Sequence, residues 1–245
     1  MSILLFLSLH TPTALANERR FTYTYDTLTL PAGARELEPW ITVAPGDGAG
    51  PTLEHKMEFE WAVTNRVHSA LYLIWSADPS GSRYEGLASE WKWNLLSRAI
   101  KPVGLALYAE AFIGSTAQKG EGKLLLDREF GSGLFAWNLV GELVREAEPE
   151  ADGGVEWERE VEAKNVLALG WKPKAWSFGA EGYHVLEFKE GELVEMGAAA
   201  GPALGYAGDG WWAAGTAMAA FYEWEEGSSE VGLSPEFRVI LGFPL

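Results

Sequence analysis

Hydrophobic and polar positions alternate with a period of two along most of this chain. Between Leu53 and Val63, one parity carries Leu53, His55, Met57, Phe59, Trp61 and Val63; the other carries Glu54, Lys56, Glu58, Glu60 and Ala62. Successive side chains of a strand point to opposite faces, so this pattern predicts a β-strand with one apolar and one wet face. It recurs from Leu87 to Leu95, where Leu87, Trp91, Trp93 and Leu95 oppose Glu90, Lys92 and Asn94. Val103–Ile113 follows the same rule, as does Trp157–Leu169, where Glu158, Glu160, Glu162 and Lys164 fill the wet face. The runs outlast the usual globular strand of about 5 to 6 residues. They reach the roughly 9 to 11 residues that a tilted strand needs to cross a bilayer.

Short breaks fall at Thr64–Arg66, Ser97–Lys101, Gly131–Gly133, Lys172–Lys174 and Ala207–Gly210. Longer polar breaks fall between them, at Pro45–Pro51, Ala77–Arg83, Ser115–Gly120, Ala147–Gly154, Lys189–Glu192 and Glu225–Ser229. Tight turns on one side and longer loops on the other are the asymmetry of a transmembrane barrel. The expected fold is therefore all-β: an antiparallel, up-and-down transmembrane β-barrel of about twelve strands over residues 39–245. A soluble sandwich with a charged solvent face shares the alternation, but not this strand length or this rhythm.

Tryptophan placement supports the barrel. The chain holds 12 Trp; of these, Trp93, Trp171, Trp176 and Trp211 stand beside the short breaks, and Trp75, Trp157 and Trp224 at the opposite strand ends. Amphipathic rings at both headgroup levels form two aromatic girdles. Residues 1–16, with the apolar run Ile3–Leu9 and the small residues Ala14 and Ala16, are expected to be a signal peptide. The run lacks a basic flank, so the true start is expected upstream. Residues 17–38 then form a segment that is either periplasmic or inserted into the lumen. Pro202 is expected to weaken a seam, and the small residues of Gly197–Gly205 and Ala213–Ala220 to thin one wall.

The wet parity would line the lumen with Glu58, Glu60, Glu90, Lys92, Glu110, Lys123, Asp127, Glu129, Glu142, Glu158, Glu160, Glu162, Lys164 and Glu181. Two readings stay open: a cross-linked polar plug, or an acidic bore favouring cations and neutral polar solutes. The net charge of −16 excludes nucleic acid as a partner. The partners expected instead are outer-membrane lipids, the outer-membrane assembly machinery and an unidentified small solute. No cysteine occurs, and no spacing points to a metal, a cofactor or catalytic residues. A barrel hydrolase would need Ser and His within hydrogen-bond reach; adjacent His68 and Ser69 face opposite ways. An enzyme is not expected.

Phe21-Thr22-Tyr23-Thr24-Tyr25, the stretch Leu30–Trp40, Thr64-Asn65-Arg66, Trp176–Glu181 and Gly201–Tyr206 before Trp211-Trp212 resemble an uncharacterised family of Gram-negative outer-membrane barrels. That family distantly resembles the barrels grouped as transporters of the phenol-degradation MetA pathway. The resemblance spans nearly the whole chain after residue 16. It implies a transmembrane barrel in the bacterial outer membrane and names no solute or catalytic residue. The terminal parity Phe237, Val239, Leu241, Phe243, Leu245 resembles an assembly signal, departing from it in ending on Pro244-Leu245.

Overall fold

A computed structural model describes residues 18–46, 50–149, 154–225 and 228–245; the expected signal peptide lies outside them. The alternating runs become β1 (Arg35–Ala44), β2 (Thr52–Thr64), β3 (Val67–Asp78), β4 (Gly81–Leu96), β5 (Gly104–Gly114), β6 (Ala117–Phe130) and β7 (Gly133–Pro149). They continue as β8 (Val155–Trp171), β9 (Trp176–Lys189), β10 (Glu192–Gly208), β11 (Trp211–Glu225), β12 (Ser228–Glu230) and β13 (Ser234–Pro244). From β1 to β12 each strand pairs antiparallel with its neighbour in sequence, and β1 closes the sheet on β13. Strands β12 and β13 both pair with β11 and together make one interrupted stave. The result is a closed barrel of twelve staves, as the alternation predicts.

Closure pairs both edges of the main staves, only the short β12 having a single partner among the described residues, and the two parities separate cleanly. Leu71, Leu73, Leu87, Leu139, Leu167, Leu169 and Val239 are exposed on the outer surface. Glu58, Glu60, Glu90, Asn94 and Asn138 are buried inside. Trp91 stacks beside Trp93, and Tyr206 lies between Trp176 and Trp211 on the same outer surface. At the other end His55 stacks on Trp75.

Three local expectations need correction. The break at Ala77–Arg83 is only the two-residue turn Pro79–Ser80, and Ser115–Gly120 reduces to Ser115–Thr116. Lys189–Glu192 likewise reduces to Glu190–Gly191, where both residues have positive φ (54° and 88°). Two left-handed residues in succession make a hairpin turn matched to strand twist. Backbone pairing needs no apolar face, so strands continue where both parities become polar and the sequence resembles loop. Second, β1 starts at Arg35 rather than at residue 39. Pro39 is tolerated because its β1–β13 ladder lapses between Leu37↔Phe243 and Trp40↔Ile240. Third, Ala213, Gly215 and Ala217 turn outward, while Trp212 and Met218 fill the inside. The small residues thus cut a groove on the outer surface, between Leu204, Trp211, Phe237 and Val239. Pairing between β10 and β11 skips Gly201 and Pro202, and the register shift lies at Ala198/Ala199.

Candidate functional site

One end of the barrel, the near end, holds Arg35 and Pro244. From it, residues 18–34 run into the interior, where donors and acceptors on the wall hold them. Glu181 of β9 accepts hydrogen bonds from the amides of Thr22, Tyr23 and Thr24 at 2.8–2.9 Å, and from the hydroxyls of Thr22, Thr24 and Thr216. Asn138 of β7 brackets Tyr25, accepting from its amide and donating to its carbonyl. Asp127 of β6 accepts from both the amide and hydroxyl of Thr27. Arg98, in the turn before β5, bridges Asp26 and Asp127. The bonds from the amides of residues 22–25 and 27, and to the carbonyl of Tyr25, answer backbone groups that would otherwise be buried unpaired at about 1–3 kcal/mol each.

Glycines make room for this segment. Phe21 is buried against Leu134, Ala168 and Ala203, over Gly170, where a Cβ would lie 2.7 Å from the phenyl ring. Gly170→Ala should lift Phe21 at a cost of about 1–3 kcal/mol. Faster amide exchange in residues 18–34, with the strands unchanged, would show it.

Beside the segment, β1 to β4 bring together a buried acidic cluster. Cross-strand register sets Glu36 opposite Glu60 and Glu38 opposite Glu58. Register with β3 and β4 adds His68 and Glu90, whose nearest atoms are 3.4 Å apart. All six side chains are almost wholly inaccessible to solvent. Some of the charge is answered. Trp40 donates to Glu58 at 3.0 Å, Trp212 donates to Glu36, and Tyr72 donates to Glu90. Arg19 lies 3.5 Å from Glu38 and over the rings of Tyr25 and Trp40.

From Glu90 a row of glutamates continues around the wall. Register pairs Glu90 with Glu110, Glu110 with Glu121, Glu121 with Glu142, and Glu142 with Glu162. It goes on through Glu162 with Glu187, Glu187 with Glu195, and Glu195 with Glu225. Strands tilt in a barrel, so the row climbs from mid-depth to the far rim. Lys119, Lys123 and Lys164 reach into it, with Lys123 2.8 Å from Glu121 and Lys164 3.3 Å from Glu142. Like charges directly opposed across strands are destabilising.

A family model of unknown function, DUF6662, matches residues 13–229. The chain belongs to that family. No curated protein matches the DUF6662 chain. Among solved structures, the NanC porin superposes with a TM-score of 0.57 at 8% identity, covering 86% of this chain and 100% of the porin. The KdgM porin gives 0.53 at 10% identity, covering 85% and 98%. The β domain of the Bordetella autotransporter BrkA gives 0.53 at 11%, covering 87% and 100%. At such identities the likeness is one of fold: these are outer-membrane barrels.

Of the residues read from sequence, the DUF6662 barrel turns Glu58, Glu60, Glu90, Lys92, Asp127 and Glu181 fully inward and buries them. Glu110, Lys123, Glu142, Glu158, Glu160, Glu162 and Lys164 are part-buried on the inner wall, and Glu129 is exposed at the near end. Glu158 and Glu160 sit beyond the row, near Lys189. Trp93, Trp171, Trp176 and Trp211 are exposed outside, while Trp75, Trp157 and Trp224 are half-buried. Glu36 and Glu38 were not among the residues read from sequence, and His68 was weighed there only as a partner for Ser69. His68 points inward, while Ser69 donates to the carbonyl of Glu90, so the two form no dyad. Alternation along β3 carries the signal for His68; a boundary set at Pro39 hides that for Glu36 and Glu38.

Proposed function

We propose that this protein is a bacterial outer-membrane pore for small cationic or polar solutes, gated at the near, periplasmic end by residues 18–34. The observation that carries this reading is the glutamate row. A plug built only for rigidity gains from Glu opposite Lys, whereas Glu opposite Glu on eight successive strands holds more carboxylates than Lys119, Lys123 and Lys164 can neutralise, and solute cations would relieve the remainder. Rings of carboxylates are a device of cation-selective channels. The fold it shares with the NanC and KdgM porins agrees with it. The exposed outer rings would meet lipid headgroups, and the terminal strand the assembly machinery.

The buried near half favours a second reading, a permanently closed structural barrel. Planar-bilayer recording separates the two. The full-length protein is expected to open rarely, and a variant lacking residues 18–34 to conduct steadily with cation preference. Gln at Glu142, Glu162 and Glu187 should lower that preference severalfold. A folded deletion variant, identified by its heat-dependent gel shift, that stays silent would exclude the pore.

A further inference from the structure

Glu60 and His68 pose a separate problem. Both are fully buried; among the described residues neither oxygen of Glu60 nor either ring nitrogen of His68 makes a hydrogen bond, and His68 meets Glu60 at 4.0 Å and Glu90 at 3.4 Å only as loose ion pairs. The facing oxygen of Glu90 has none either. Two buried carboxylates around one imidazole leave negative charge in excess, which is costly, yet three adjacent strands hold these groups so that one donor atom from each lies within 4.8 Å of the others.

We infer that Glu60, His68 and Glu90 form a binding site for a divalent transition-metal ion, with zinc as the reference ion. Two carboxylates and an imidazole are a donor set such ions take, imidazole favouring zinc or iron over magnesium or calcium. Tetrahedral zinc at about 2.1 Å from its ligands sets them about 3.4 Å apart. His68 Nε2 and Glu90 Oε1 are separated by 3.4 Å. A rotation of the Glu60 carboxylate, which no hydrogen bond restrains, completes the third side. Tyr72 donates to the other oxygen of Glu90 and orients it, the kind of outer contact that fixes a metal ligand. Glu36 and Glu38 form a second three-carboxylate group with Glu60, so an acidic wall backs the ion. Glu90 is also the first member of the glutamate row, which gives a cation a path from the far rim. The site stands whether or not the barrel conducts.

The test uses the purified full chain in detergent, stripped with a chelator and loaded with zinc chloride in excess magnesium. One zinc per chain should remain. Glu60→Gln and His68→Asn should each weaken zinc binding more than about tenfold, and Glu158→Gln should leave it unchanged. Equal losses in all three would mean general adsorption to acidic groups and overturn the site. No retained zinc would leave His68 as an imidazolium shared by two carboxylates, overturning it also. Since buried variants can fail to fold, zinc-edge X-ray absorption on the unaltered protein gives an independent readout. Imidazole scattering supports the site, and an all-oxygen shell refutes it.

Discussion

Glu181→Ala is expected to expel residues 18–34 from the interior while the barrel stays closed. One carboxylate answers three consecutive backbone amides and three hydroxyls. Its loss leaves those amides buried without acceptors, at about 1–3 kcal/mol each. The segment can recover those bonds only by moving into water. The strands keep their own ladders, because Glu181 joins the sheet through its backbone, paired with Ala168 and Gly201. Limited trypsinolysis of the folded protein reads the outcome. Cleavage after Arg19 or Arg20, now held against Glu38 and Glu129, should appear in the variant and not in the parent. Protection equal to the parent's would show that Glu181 is not what retains the segment.

Trp212→Ala should cause the largest loss of barrel stability, about 3–5 kcal/mol. The indole is 1% exposed and packs against Trp40, Ala214 and Ile240, where β11, β13 and β1 meet. It fills the space over Gly242, where a Cβ would lie 2.0 Å from the ring. Its Nε1–H also donates to Glu36. Trp212→Phe keeps most of the packing and loses the donor, so it should cost less, roughly 1–3 kcal/mol. The temperature of the heat-dependent gel shift ranks the three proteins. An alanine variant as resistant as the parent would contradict the packing account.

Much of the fold is legible in the chain because burial on one face imposes a period of two. Leu53–Val63 and Trp157–Leu169 declare both their strands and their inward residues. Strand ends are legible only while one face is apolar. Above that band, at Ala117–Gly120 or Gly81–Arg83, water meets both faces and alternation vanishes although pairing continues. The candidate site is less legible for a different reason. Parity states that Glu90 and Glu110 face inward, but not that they stand opposite each other. That depends on register, which turns and bulges set, including shifts at Ile74/Trp75 and Asn94/Leu96. The approach of Glu60 to His68 and Glu90 depends on the β2–β3 and β3–β4 registers, the first of which shifts at Ala62/Thr64.

Residues 18–34 also have a mechanical consequence. The segment is fastened to β6, β7 and β9 through Asp127, Asn138 and Glu181, to β13 through Tyr23 and Glu236, and to the turn after β2 through Asn65. Those anchors lie on widely separated parts of the circumference, so the segment spans the cross-section like a strut. A hollow cylinder of one sheet layer yields most easily by ovalising, and a chain without cysteine has no covalent cross-link to resist that. Here polar ties across the diameter supply the resistance. Releasing the strut would therefore soften the wall in the same step that frees residues 18–34 from it.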